Sequence, residues 1–125
     1  MGELIYKDEA FKIIGCCMEV HRLLGKGHDE VIYKDALQFE LSQAGISFER
    51  EKEFKIAYKS IVLPHTCRAD FVIMDRIILE AKAIERLTDS HIKQTLNYLA
   101  ASKLKLGLLV NFGHYPKVES ERIAL

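Results

Sequence analysis

RADFVIMDRIILEAKA, residues 68–83, holds two β-rich runs, Arg68–Met74 and Ile77–Ala83, on either side of Asp75-Arg76. That is the pattern of a hairpin. In the second run an acid and a base, Glu80 and Lys82, interrupt a strand that otherwise reads as core. Residues two apart in a strand project to one face. Buried charges are costly unless they are paired or bind something. A structural Glu–Lys pair on an edge strand explains this segment alone equally well. Asp70, at the start of the first run, adds a second carboxylate. Two carboxylates and an ammonium where adjacent strands meet suit a hard divalent ion, which takes oxygen ligands and keeps several waters. A two-residue loop at Asp75-Arg76 pairs Asp70 with Ala81 and turns it away from Glu80. The site therefore requires a three-residue loop, Met74 to Arg76, or a bulge.

Downstream, Thr88 or Asp89 caps a helix through about Lys103, with Ile92, Leu96, Leu99 and Ala100 on its apolar face. Leu106 to Phe112 is a continuous apolar strand of the kind buried on both faces. Strand, helix, strand implies a parallel pair. A short last strand near Glu121–Leu125 is allowed. Upstream, Phe54, Ile56 and Tyr58 alternate as a half-buried strand, and Pro64 marks a loop or short strand. Before them, residues 7–24 form a helix whose apolar stripe includes Phe11, Ile14, Cys17, Met18, Val20, Leu23 and Leu24. Gly25-Lys26-Gly27 ends it, Asp29 favours a second helix to about Gln43, and Gly45 stops that one. The order is ααβββαβ with room for one more strand. The expected class is α/β (α+β): one domain over residues 1–125, a mixed central sheet flanked by helices.

The totals bound the function. Eighteen basic and eighteen acidic residues give zero formal net charge, which argues against coating nucleic acid by bulk charge. Residues 51–125 hold nine of the acids and twelve of the bases, so a phosphate backbone meets locally basic surface there, as ordinary solvated charge would also allow. No apolar run reaches membrane-spanning length. Met1–Tyr6 lacks a basic leader with an apolar run, and Tyr6 stands where a myristoylation pattern needs Ser or Thr. Three cysteines, two of them adjacent, fit a reducing compartment, and a cytoplasmic location is expected. Cys16 and Cys17 read as buried filler, and Cys67 with His65 lacks zinc spacing. His21, His28, His65 and His114 have no partner in sequence and read as surface or loop residues. There is no phosphate loop and no four-cysteine set for an iron–sulfur cluster.

Asp70 followed ten residues later by Glu80-Ala81-Lys82 resembles the motif of PD-(D/E)XK nucleases, with Ala69 where a proline is usual. Gln94 and Tyr98, four apart on one helix face, match the QxxxY signature of RecB-type members. Gly27-His28-Asp29-Glu30-Val31-Ile32-Tyr33 resembles the motif that names the GxxExxY family of the same superfamily, and His91 to Leu99 and Gly107 to Gly113 fit that family too. The resemblance covers roughly residues 8–123.

It implies a restriction-endonuclease-like core and a Mg²⁺- or Mn²⁺-dependent nuclease acting on DNA, with RNA as second candidate. It implies Asp70, Glu80, Lys82 and Gln94 as catalytic residues, with Gln94 and Tyr98 positioning Lys82 or contacting the substrate backbone. The metal ligands would be Asp70, Glu80, the backbone carbonyl of Ala81, and Glu30. Tyr98, His91, Arg68 and Tyr33 are the expected substrate contacts, although Tyr33 also reads as packing. The metal would polarise the scissile phosphate and activate water, with Lys82 aiding proton removal or steadying the phosphate charge. The contrasting expectation is a catalytically silent module on the same scaffold, binding nucleic acid or protein. So small and neutral a chain invites help from a homodimer, formed through the apolar first helix, or from a larger partner protein.

Overall fold

The computed structural model describes residues 4–125; the N-terminal reading that involves Met1, Gly2 and Glu3 lies outside the described residues. The elements are α1 (Lys7–Leu24), α2 (Glu30–Gln43), β1 (Phe48–Tyr58), β2 (Ile61–Ile73), β3 (Ile77–Lys82), α3 (Asp89–Ser102), β4 (Leu106–Asn111) and β5 (Glu119–Ala124). The strands form one mixed sheet in the order β1-β2-β3-β4-β5. Among the described residues only β3 and β4 run parallel, joined across the sheet by α3. The order is thus ααβββαββ, with the last strand present.

Two apolar layers sandwich the sheet. On one face α1 and α2 bring Ile13, Cys17, Tyr33 and Leu37 onto Phe71, Leu79 and Val110. On the other, α3 brings Leu99 onto Val72, Ile78 and Leu109. β3 and β4 are covered on both faces, which is why their sequences read as unbroken apolar runs. α1 buries Cys17 and Val20 of the stripe expected for it but not the rest of that stripe's large side chains. Ala10, Ile13, Cys17, Val20 and His21 face inward, while Phe11, Met18 and Leu23 are exposed. His21 is accordingly a buried helix residue, its Nε2 2.7 Å from the His114 carbonyl, and not a surface histidine.

The main departure from sequence is the β1–β2 arm. Both strands are roughly twice the expected length, and they turn through Lys59-Ser60. Pro64 lies within β2, where the register shifts opposite Lys55–Ala57. A bulge tolerates a residue with no N–H to donate.

Past β4, Asn111 ties the chain together. Its Oδ1 accepts from Ile84 N and Gly113 N, both at 3.0 Å, and its Nδ2 donates to Glu119. A Cβ on Gly113 would stand 2.4 Å from the Ile84 carbonyl oxygen. Gly113→Ala must push backbone against backbone, and we expect it to destabilise the protein by about 1–3 kcal/mol. Urea denaturation checks this: an unchanged midpoint would mean that the two segments separate freely.

Candidate active site

The site begins where β2 and β3 part. Their ladder pairs Ile73 with Ile77, Val72 with Ile78 and Phe71 with Leu79. The loop therefore has three residues, Met74–Arg76, and Met74 and Asp75 have left-handed φ of 55° and 56°. Continued one step, this register sets Asp70 opposite Glu80, as the sequence requires of a shared site. At that step side chains replace the backbone ladder. Asp70 N donates to Glu80 Oε2 and Ala81 N donates to Asp70 Oδ2, both at 2.8 Å. The N–H and C=O of one strand residue point to the same side. The Ala81 carbonyl thus faces the same gap as Asp70.

The sheet also turns over here. Ala69 packs with the α3-side layer and Phe71 with the α1/α2-side layer, although residues two apart in a regular strand share a face. Across on β1, Glu51 lies between the pairs Arg50–Phe71 and Lys52–Ala69, with φ 56°. Left-handed backbone in a non-glycine strand residue costs energy and clusters at functional sites. Here it accompanies the reach of the Glu51 carboxylate to α2, where Lys34 Nζ donates to Glu51 Oε2 at 2.9 Å. The same ammonium donates to Asp70 Oδ1 at 3.1 Å and lies 3.6 Å from Glu30 Oε2. Glu30 opens α2, where the helix dipole favours an acid. Asp29 stands at the N-cap position, but its side chain makes no capping hydrogen bond.

Charge in this cluster is unbalanced. Glu30, Glu51, Asp70 and Glu80 face the lysines 34 and 82. Glu80 is only 2% exposed. Burial first, and then the charge of Asp70, push its carboxyl up to about 8, against the pull of Lys82 and Lys34. Burial alone would lower the Lys34 pKa, but Glu51 and Asp70 outweigh it and hold the ammonium above its usual range. Tyr98 of α3 is pushed up to about 12, by burial and then by Glu80 and Asp70, which places its phenol in the field of the same acids.

Lys82 follows Glu80 on β3 at the spacing of a shared face. Its Nζ donates to Gln94 Oε1 of α3 at 2.9 Å. Among the described residues Lys82 forms no ion pair within 4 Å, unlike Lys34.

The expected substrate contacts fare unevenly. Arg68 is exposed on the β1–β2 arm. His91 is partly committed: its Nδ1 accepts from Thr88 N at 3.0 Å and completes the α3 capping box. Tyr33 is fully buried and stacks on Phe112 at 5.0 Å. Its hydroxyl donates to the Gly25 carbonyl at 2.6 Å and accepts from His28 N. A side chain so enclosed cannot meet a substrate, and Tyr33 is a core residue that locks the α1–α2 turn. Lys34 and Glu51 escaped the reading of the sequence. Lys34 had a signal, since it lies one turn after Glu30 on the same helix face. Glu51 had none, because an alternating strand gives no warning of a left-handed residue.

Among the described residues no three His, Cys, Asp or Glu side chains form a ready metal cage. The donor set nonetheless fits Mg²⁺ or Mn²⁺, which need one or two carboxylates and complete their shells with water. Asp70, Glu80 and the Ala81 carbonyl are hard oxygen donors around one gap, and the excess negative charge calls for a cation.

A model of the PD-(D/E)XK nuclease superfamily matches residues 7–123. A search of curated protein sequences gives no match. Solved structures with the same fold include SSO0001, at TM-score 0.52 and 17% identity, covering 94% of this chain and 77% of that one. Another is an alkaline exonuclease, LHK-Exo, from Laribacter hongkongensis, at TM-score 0.50 and 15% identity, covering 99% of this chain and 72% of that one.

Proposed function

The chain belongs to the PD-(D/E)XK nuclease superfamily, and from that premise we propose that it hydrolyses phosphodiester bonds in nucleic acid, DNA before RNA, with Mg²⁺ or Mn²⁺ at the Asp70–Glu80 gap. The observation that carries this reading is the pair of carboxylates at the point where β2 and β3 separate, Glu80 accepting from Asp70 N and Asp70 accepting from Ala81 N, two residues from Lys82. Asp70, Glu80 and the Ala81 carbonyl would hold the ion, with Glu30 reaching it directly or through water. When bound, the ion polarises the phosphate and makes water a better nucleophile.

The chain's own groups supply the rest. Lys82, held by Gln94, stands beside the gap to assist proton removal or steady charge developing on the phosphate. Tyr98 faces the acids from α3 and would contact the substrate backbone. Arg68 offers a charge to a phosphate along the arm, and His91 retains its Nε2 for a peripheral contact. Zero net charge supports help from a second copy or a partner protein. No helix among the described residues is long and apolar enough to cross a membrane.

The contrasting reading is a silent scaffold that binds nucleic acid or protein, with the ion pairs of Lys34 to Asp70, Glu51 and Glu30 serving structure alone. A cleavage assay separates the two. Purified protein is given single- and double-stranded DNA and RNA with Mg²⁺, Mn²⁺ or EDTA. We expect cleavage only with metal, reduced at least about a hundredfold in Asp70→Asn. Cleavage that survives EDTA or that substitution, or none on any substrate, rejects the proposal.

A further inference from the structure

Lys34 occupies a position that simple packing does not require. Its side chain is 11% exposed and Asp70's is 13%. Its ammonium sits among three acids drawn from α2, β1 and β2, at 2.9 Å from Glu51, 3.1 Å from Asp70 and 3.6 Å from Glu30. Asp70 Oδ2 is held by Ala81 N, so Oδ1 is the oxygen that faces outward, and Lys34 takes it. An ammonium and a hydrated divalent ion satisfy a carboxylate by the same means, positive charge at contact distance. They compete for that oxygen. Glu51 supplies the shorter of the two hydrogen bonds, from a strained backbone that aims it at Lys34 and not along the strand.

We propose that Lys34 is the resident counter-cation of the acid cluster: it competes with the divalent ion for Asp70, and Glu51 retains its ammonium when the ion is bound. This rests on the metal-dependent reading above. Lys34 would then keep the cluster folded without metal and set the metal concentration at which the site fills. A role in merely holding Asp70 in place makes the opposite prediction, because loss of the lysine would then weaken metal binding.

Calorimetric titration with Mn²⁺ distinguishes these roles without reference to activity. The proteins are the full chain, Lys34→Met, which keeps an unbranched apolar stem and loses the charge, and Lys34→Gln, which keeps a hydrogen-bonding head. Should the Met variant fail to fold, the Gln variant carries the comparison. We expect Mn²⁺ to bind each neutral variant at least about tenfold more tightly than the unaltered chain, since a close positive charge has gone. We also expect both to melt at lower temperature in EDTA and to gain more from added Mn²⁺. Binding by a neutral variant alone would also support the proposal, as complete blockade by Lys34. Equal or weaker binding by the variants overturns it and leaves the metal reading intact. No Mn²⁺ binding by any of the three overturns both.

Discussion

Lys82→Ala is expected to slow phosphodiester cleavage by about 10²–10⁴-fold, the usual contribution of a positioned proton-transfer or charge-stabilising group. The same substitution is expected to leave stability almost unchanged. Lys82 is half-buried at the end of β3, and among the described residues its one side-chain hydrogen bond goes to Gln94, itself exposed on α3. A bond of that kind is worth about 1 kcal/mol at most in net stability. The contrast with Lys34 is instructive. Both ammoniums act on Glu80, but Lys34 is committed to three carboxylates while Lys82 is held by a neutral amide. Single-turnover cleavage and a thermal melt, run on one preparation, check both halves. A variant that cleaves normally removes Lys82 from the chemistry, and one that unfolds makes it structural.

Glu80→Gln carries the other large effect, on the pH dependence of the metal-free protein. Burial, and then the charge of Asp70, raise the Glu80 carboxyl from 4.5 to about 8. Between those values the folded protein holds a proton that the unfolded chain has already released. Stability therefore falls as pH rises through that window and levels off above it. A tenfold difference in proton affinity between the folded and unfolded chain is worth about 1.4 kcal/mol, so the loss is on the order of a few kcal/mol. Glutamine cannot titrate, and its amide oxygen can still accept from Asp70 N. In EDTA the variant should be nearly flat across the window and more stable than the unaltered chain at pH 9. Urea midpoints at pH 5, 7 and 9 test this. Parallel profiles for the two proteins would mean that Glu80 ionises without strain in the fold.

Sequence made the helices and the two central strands legible because burial leaves a period. β3 and β4, covered on both faces, are apolar throughout. It also showed that Asp70 and Glu80 required either a three-residue loop or a bulge, since one step of register inverts a strand's faces, and the loop is the alternative the fold adopts. The β1–β2 arm was harder to read. Its charged run Glu49–Glu53 is strand because Phe48 and Phe54 anchor it to opposite layers, and Pro64 passes through a bulge. The outward turn of Phe11 and Met18 on α1 was equally hidden, because an apolar residue in a helical stripe gives no sign of which neighbour it will lack. At the site, residues tied by local spacing were accessible. Lys34 and Glu51, which meet only through the fold, had to be seen in three dimensions.

A crystal soaked in Mn²⁺ and measured at an anomalous wavelength asks the central question most directly. One strong peak within coordination distance of an oxygen from each of Asp70 and Glu80 is the predicted result. Density in which Glu80 still accepts from Asp70 N, and Asp70 from Ala81 N and Lys34, with no peak between the strands at saturating Mn²⁺, would contradict it.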